Sequence, residues 1–336
     1  MADTGSPIPG SPETRHGRLP RPGALPLFAT LRWVLRIVVV FWVVFAGVVL
    51  VLRYAVLPRV GDWHPQIEQA VSKAVGQPVR IGKLSAQWDG LHPDLVLDSV
   101  SVLDRQGGVA FSLNRVDAVL SWRSLLQGRL VMSLLAIERP VLHVRREADG
   151  RITVAGIDAE GESDPALADW VLAQRRIRVR DAMIVWEDLQ RGAPPLVLED
   201  LQFGLDNRGD THRFGLSAAP PAALAARIDV RGEVSGDFRE ALDDVSGQLF
   251  VELDYADLAG WRTWVDYPVD LPQGRGALRL WGDLESGQGK IVADLALEDL
   301  RLRLGKKLPE LDLVSLRGRI EGGRKGGAWS LAARKL

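Results

Sequence analysis

Apolar residues recur at every second position through most of the chain beyond residue 94, the period of a β-strand with one apolar and one polar face. Many runs are separated by Gly, Asp or Asn, and Asp89-Gly90 and Asp149-Gly150 are dipeptides typical of hairpin turns. The pattern predicts a mainly β fold with antiparallel neighbouring strands. The clearest apolar positions are Leu95, Leu97, Val100, Val102, Val109, Phe111, Leu113, Val116, Ala118, Leu120, Leu142, Val144, Ile177, Val179, Ala182, Ile184, Trp186, Leu196, Leu198, Leu201, Phe203, Leu205, Ile228, Val230, Leu249, Val251, Leu253, Tyr255, Leu295, Leu297, Leu300, Leu302 and Leu304.

The apolar phase shifts by one residue at several points within these runs. The shifts fall between Val179 and Ala182, between Leu198 and Leu201, and between Leu297 and Leu300. A β-bulge or a tight turn produces such a shift, and a bulge also increases the local twist. We therefore predict a long sheet that is curved rather than flat.

A few short helices interrupt this pattern. Residues 62–76 have apolar positions at the helical period, Pro65 near the start and Gly76 at the end. Three more helices are predicted at residues 121–127, 164–174 and 257–265.

The N-terminal region contains a membrane-length apolar segment. Sixteen consecutive uncharged residues run from Ile37 to Leu52, and flanking apolar residues extend the segment to residues 31–57. Arg36 and Arg53 lie within this span and must extend toward the two headgroup layers. A cleaved signal peptide is the competing interpretation, but the apolar region is too long and no small-x-small cleavage site follows it. We predict a transmembrane helix over residues 31–57.

Charge predicts the orientation of this helix. Arg15, Arg18, Arg21, Arg32 and Arg36 precede the uncharged stretch that begins at Ile37, which places the N-terminus in the cytoplasm and residues 60–336 in the periplasm. Residues 1–30 contain six prolines among Gly and Ser, a composition that predicts a disordered cytoplasmic tail. The expected location is the bacterial inner membrane, with a single pass through residues 31–57.

Composition excludes several classes of function. Beyond residue 59 there are 35 basic against 41 acidic residues, so nucleic acid is not an expected partner. The chain has no cysteine, and its five histidines are scattered without metal-ligand spacing. Phosphate-loop, dinucleotide and serine-nucleophile motifs are absent. We predict no catalytic residues, no metal and no cofactor, and therefore no enzyme.

The order of several short motifs resembles the AsmA-like family. Ser124-Leu125-Leu126-x-Gly128-x-Leu130 precedes Ile137-Glu138-Arg139-Pro140 and the hairpin at Asp149-Gly150. Later motifs are similar to the YhdP branch of that family: Ile177-x-Val179-x-x-Ala182-x-Ile184-x-Trp186-x-Asp188, Leu308-Pro309-x-Leu311, Leu316-x-Gly318 and Trp329.

The resemblance implies a fold and a function. The implied fold is a long, curved antiparallel β-sheet that forms an open hydrophobic groove after the transmembrane helix. The implied function is phospholipid binding and transfer toward the outer membrane, which supports outer-membrane lipid homeostasis. YhdP-like proteins are much longer, so residues 60–336 are expected to be part of a β-rich domain that continues beyond this chain.

The apolar strand faces supply the candidate lipid-binding residues, since apolar area alone binds acyl chains. The candidates are Ile184, Trp186, Phe203, Leu205, Val251, Leu253, Leu295 and Leu297. The core of an ordinary β-sandwich explains the same periodicity, and only the family resemblance favours the groove. Arg176, Arg178 and Arg180 alternate with apolar residues and fit a solvated outer face better than a set of phosphate ligands.

An alternative function remains open at this point. A non-enzymatic scaffold could assist outer-membrane protein or envelope assembly, with envelope proteins pairing to its exposed strand edges.

Overall fold

A computed structural model describes residues 27–75, 77–90, 92–103, 108–122, 131–154, 157–158, 170–236, 245–267, 269–285, 288–303, 305, 308–325 and 328–334. The chain divides into two units, Met1–Tyr54 and Ala55–Leu336. The predicted tail lies largely outside the described residues. The first unit contains helix α1 (Leu27–Val51), which is long and apolar enough to cross a membrane. Apolar side chains along it, such as Phe41 and Val43, are exposed.

The second unit begins with short helical segments. A π-helix (Leu52–Val56) that starts at the boundary between the units precedes a 3₁₀ helix (Leu57–Trp63) and helix α2 (His64–Val75), so the helix predicted at residues 62–76 is present. Helix α3 (Leu258–Trp261) is shorter than the predicted residues 257–265, and its N-cap Asp257 accepts a hydrogen bond from the Gly260 amide. Residues 170–173 are helical, whereas 164–169 and 123–127 lie outside the described residues.

Among the described residues of the second unit, sixteen strands form a single sheet. They are β1 (Val79–Asp89), β2 (His92–Leu103), β3 (Val109–Leu120), β4 (Met132–Glu138), β5 (Val141–Arg146), β6 (Ile152–Val154), β7 (Ile157–Asp158), β8 (Arg176–Asp188), β9 (Ala193–Arg208), β10 (Thr211–Ala219), β11 (Ile228–Ser235), β12 (Ser246–Asp257), β13 (Asp270–Glu285), β14 (Gln288–Arg303), β15 (Leu311–Lys325) and β16 (Ala328–Arg334).

The sheet is open and curved, and its strand order follows the chain except near β8. The path runs β1-β2-β3-β4-β8 and then in sequence to β16, while β5, β6 and β7 branch from the side of β8. Strand β8 is parallel to both β4 and β5, with Glu138 opposite Arg180 and Val141 opposite Met183. The predicted antiparallel sheet is thus confirmed elsewhere, and the exception arises because β4 and β5 follow each other along one side of β8.

The predicted phase shifts are β-bulges, because each lies inside a continuous strand. Residues with positive φ occupy three of them: Asp181 in β8, Asp200 in β9 and Asp299 in β14. Ser99 in β2 and Arg139, between β4 and β5, have the same conformation. We call these five residues the bulge band; they include every non-glycine residue with positive φ in the described part of the chain. On either side of each bulge the apolar side chains stay on the same sheet face, because the extra residue resets the alternation.

Helix α2 covers the open edge of β1 with three side chains spaced four residues apart. The Ile81 amide donates to Glu68 Oε1 over 2.6 Å, and the Ile81 carbonyl lies 2.8 Å from His64 Nε2. The Val79 amide donates to Ser72 Oγ over 2.8 Å. These bonds satisfy backbone groups that an edge strand otherwise leaves available for pairing.

The main core lies at the β1 end of the sheet. Helix α2 packs its residues Ile67 and Val71 against the apolar face there, and Trp170 and Val171 cover the same cluster. The buried members of this cluster are Val79, Ile81, Leu97, Val100, Val102, Val116, Ala118, Met132, Leu135, Ile177 and Leu205.

Candidate functional site: the apolar face of the sheet

Cross-strand rows of apolar side chains cover one face of the sheet. In the longest row, strand register places each member opposite the next from β8 to β15. The row consists of Val179, Phe203, Leu216, Val230, Val251, Leu280, Ala293 and Ile320. It crosses seven interstrand spacings of about 4.8 Å, or roughly 34 Å. Every member is half-buried.

Four of the predicted groove residues meet in two such rows. Phe203 and Val251 belong to the long row. Leu253 and Leu295 belong to a neighbouring row, in which Leu278 lies opposite both of them. The side chains of all four are half-buried, so they share one continuous apolar surface.

The remaining four candidates lie at the borders of this surface. Leu205 is only 8% exposed and belongs to the core at the β1 end. Leu297 lies nearer the bulge band, opposite Gly276 and Leu316. Ile184 lies beyond the band and packs in the same cluster as Phe203.

Trp186 lies outside the two rows. It lies opposite Leu196 near the end of β8, and the Arg146 guanidinium carbon is 5.8 Å from the centroid of its ring. Trp186 therefore belongs to the end of the strand and not to the rows that contain Phe203 and Val251.

A buried polar network closes the β1 end of the apolar face. Asn207 Nδ2 donates to the Gln174 carbonyl over 2.7 Å, and Asn207 Oδ1 lies 2.7 Å from His212 Nδ1. Gln174 is fully buried, and its Oε1 accepts a hydrogen bond from the Met132 amide. Burial lowers the pKa of His212 below its ordinary value, because the charged imidazolium loses its hydration. The network fixes the segment that contains Trp170 over the sheet.

The opposite face carries paired charges. Arg176 and Arg178 both donate to Asp206, at 2.8 and 2.6 Å, so two of the three alternating arginines lie on the polar face as predicted. Farther along, Arg319 donates to both oxygens of Asp294, and these bonds lower the pKa of that carboxyl. The sheet thus separates an apolar face from a face of ion pairs.

Comparison with known proteins identifies the family of this chain. The model of the YhdP protein family matches residues 24–336. The chain belongs to the YhdP family.

One curated relative is the Intermembrane phospholipid transporter YhdP of Escherichia coli (strain K12), which is 26% identical over 239 residues. The match covers 70% of this chain and 18% of that protein, so the chain spans about a fifth of the length of its relative. No solved structure matches the chain.

Several residues of this YhdP-family surface were missed by sequence reasoning. Leu216, Leu278, Leu280 and Ile320 lie in β10, β13 and β15, none of which was among the predicted strands. The alternation of Leu278, Leu280 and Leu284 was a usable signal for β13, although Gly282 interrupts it. Gly322 lies inside β15, while Gly326 and Gly327 lie outside the described residues.

The chemistry available on the apolar face is limited to burial. The two rows that contain Val251 and Leu253 have no ionisable residue between β11 and β15. Within the described residues, no three His, Asp or Glu side chains converge in a way that could hold a metal ion. The face can bind apolar ligands, and each methylene group buried there contributes about 0.8 kcal/mol.

Proposed function

We propose that this chain binds phospholipid and carries it away from the inner membrane, with acyl chains on the apolar face and headgroups in water. The observation that carries the proposal is the uncovered apolar surface from β11 to β15. Apart from α3 beside β13, no helix in the described part of the chain has extensive contacts with these strands. An apolar face left half-exposed over several strands is a typical ligand surface.

The dimensions of this surface suit acyl chains. One leaflet of a bilayer is roughly 15 Å of hydrocarbon, half the usual thickness. The long apolar row, at roughly 34 Å, is therefore about twice the length of one acyl chain. Chains that lie along this row, perpendicular to the strands, contact successive strands and need no fixed pocket. Such a surface supports movement of lipid as well as binding.

The proposed location combines α1 with the charge asymmetry around it. Helix α1 anchors the chain in the inner membrane, the arginines before it hold the N-terminus in the cytoplasm, and residues 60–336 lie in the periplasm. One relative is named an intermembrane phospholipid transporter, which supports the proposed role in moving phospholipid between membranes. We propose that the surface described here forms one part of a longer route toward the outer membrane.

A scaffold that recruits envelope proteins through strand edges is the competing proposal. The edge of β1 offers little to such a partner, because His64, Glu68 and Ser72 already bond its backbone. The lipid proposal uses the face of the sheet instead, so it does not need a free edge.

The test compares a charge on each face of the sheet. Val251 lies on the apolar face opposite Leu280, whereas Val292 lies on the polar face opposite Trp281, and both are half-buried. The chain of residues 1–336 is purified in mild detergent, and bound phospholipid is measured by mass spectrometry. We expect wild type and Val292→Glu to retain phospholipid and Val251→Glu to lose most of it, because acyl chains cannot cover a carboxylate without a large desolvation cost.

Circular dichroism establishes that the three proteins share the same fold. Equal phospholipid in Val251→Glu and wild type would contradict the assignment of the apolar face. A folded wild type without phospholipid would contradict the function itself.

A further inference from the structure

The polar face carries an aromatic pair that the proposed lipid surface does not use. Phe250 in β12 lies directly opposite Trp281 in β13, with ring centroids 5.6 Å apart and planes inclined by 47°. Their neighbours Val251 and Leu280 point to the opposite, apolar face. Two large rings are thus half-buried on a face that otherwise consists mainly of ion pairs.

These rings line a cleft of about 640 Å³, which we call the aromatic cleft. Gly204 and Gly215 lie opposite each other in its floor. The Arg178 guanidinium lies over Gly204, whereas the backbone of β10 at Gly215 is bare on this side. Nothing lies within 4 Å of the position that a Cβ atom on Gly215 would take. The volume is that of ordinary small-molecule sites.

Polar groups border the rings on one side. Gln248 and Asp283 face each other two residue pairs along from the rings, and Glu233 lies opposite Gln248. Within the described residues, neither Gln248 nor Asp283 has a hydrogen-bond partner for its side chain. Arg213 donates to Glu233 over 2.5 Å, which holds that carboxylate in position. An amide and a carboxylate are therefore free to bond a ligand that lies on the rings.

The charges of the cleft are balanced. Three cations and three anions line it: Arg178, Arg213, Arg231, Asp206, Glu233 and Asp283. An anionic ligand such as a phosphate gains little from such a site, because the cations already have carboxylate partners. The site favours a neutral ligand with an apolar face and hydroxyl groups at its margin.

A pyranose ring has this chemistry, since its axial C–H groups form an apolar face and its hydroxyls project around the edge. We propose that the aromatic cleft is a saccharide-binding site that takes a neutral pyranose unit of a glycan. The ring stacks on Trp281 and Phe250, and its hydroxyls bond Gln248 and Asp283. This site lies on the opposite face from the lipid surface and does not depend on it.

The test uses the full chain in a polyoxyethylene detergent, which has no sugar headgroup to compete. Saturation-transfer NMR with chitotetraose and maltotetraose detects sugar protons in contact with the protein, and titration gives the dissociation constant. We expect contact with at least one sugar. Trp281→Ala should weaken binding by about tenfold, the loss expected when one stacking aromatic is removed. Val292→Ala, a truncation beside Trp281, should leave binding unchanged.

A second variant guards against misfolding of Trp281→Ala. Gln248→Leu keeps the volume of the side chain but removes its hydrogen bonds, and we expect it also to weaken binding. Phospholipid content should be unchanged in both variants, which separates this proposal from the lipid proposal. No saturation transfer to either sugar, or binding that is equal in wild type and both variants, would overturn the assignment and leave the rings as a cross-strand packing pair.

Discussion

Each residue of the bulge band holds a backbone conformation that costs an L-amino acid about 1–2 kcal/mol. Asp tolerates this conformation better than most residues, because its short side chain bonds locally. The carboxylate of Asp181 is in addition held from the neighbouring strand, where Gln202 donates to it over 2.7 Å. The surrounding strands fix the conformation, since pairing continues on both sides of each bulge.

The conformation at Asp200 predicts an unusual order of stability among its substitutions. Its φ is 47° and its side chain is 69% exposed. Asp200→Gly should leave the free energy of unfolding unchanged or raise it slightly, because glycine adopts positive φ without steric cost. Asp200→Val should lower it by about 1–2 kcal/mol, since a β-branched residue fits this region poorly. Urea denaturation of the full chain measures both.

Glu199 is the matched control, because it is adjacent, exposed and free of positive φ. Here the order should reverse, with Glu199→Gly destabilising and Glu199→Val nearly neutral in a strand. The same order at both positions would show that Asp200 is not held in the left-handed region in solution.

Part of the bulge band was predictable from individual residues. The tetrapeptide Leu-Glu-Asp-Leu occurs at 198–201 and again at 297–300, with the positive φ at its Asp each time. The phase shift located the bulges because side-chain alternation is a local property. Ser99 and Arg139 were not predicted, because neither residue type favours positive φ and neighbouring strands decide their conformation.

Helix α2 shows at the scale of one element how a sheet edge is closed. His64, Glu68 and Ser72 fall at successive four-residue steps, so they lie along one side of the helix. Strand residues of the same orientation recur every second position, which brings Val79 and Ile81 to these side chains. The helix therefore provides side-chain partners where a further strand would provide backbone ones.

Glu68 makes the shortest of these bonds, and Ile81 is only 3% exposed. Glu68→Ala should lower the free energy of unfolding by about 1–3 kcal/mol, because the Ile81 amide is left buried and unpaired. Thermal and urea unfolding measure the loss. Light scattering should also show slow association, since part of a strand edge becomes available.

Two variants make this prediction specific. Glu68→Gln retains a side-chain oxygen and should recover most of the stability. Gln69→Ala, on the exposed side of the same helix, should change stability little. Equal losses from Glu68→Ala and Gln69→Ala would contradict the edge-closing role.

Periodicity predicted the existence of α2 and most strands, but not which elements meet. The helix at residues 62–76 was expected, yet its bonds to β1 depend on contacts between separate elements. The parallel pairing of β8 with β4 and β5 was not predicted either, because the alternation within one strand does not specify which strand it pairs with. Likewise the period of two predicted that Phe203 and Val251 lie on the apolar face. It did not predict that Leu205 is buried in the core that α2 and Trp170 cover.

The sheet of the second unit is supported unevenly along its length. At the β1 end, α2 and Trp170 bury one large apolar cluster. From β11 to β15 most apolar residues on this face are half-buried, although Ala256, Leu271 and Leu300 are buried, and each strand contacts mainly its two neighbours. Stability in such a ladder depends on local packing, so it should decrease where the second layer ends.

Hydrogen–deuterium exchange of the full chain should therefore show a gradient across one continuous sheet. Amides of β2, β3 and β9 should exchange most slowly, because their strands are paired on both sides and carry buried core residues. Amides of β12, β13 and β14 should exchange faster although they are also paired on both sides, since an apolar face that is mostly half-exposed supports them. Phospholipid, if it occupies that face, should slow exchange in β12–β14 while leaving β2 and β3 unchanged, because a ligand that binds only the folded form stabilises the strands it covers.

Delipidated and lipid-loaded samples compared by peptide-resolved mass spectrometry test both statements. A uniform exchange rate along the sheet would show that the β1-end core does not set the stability of individual strands. A gradient that does not respond to phospholipid would instead place the lipid elsewhere than on the apolar face.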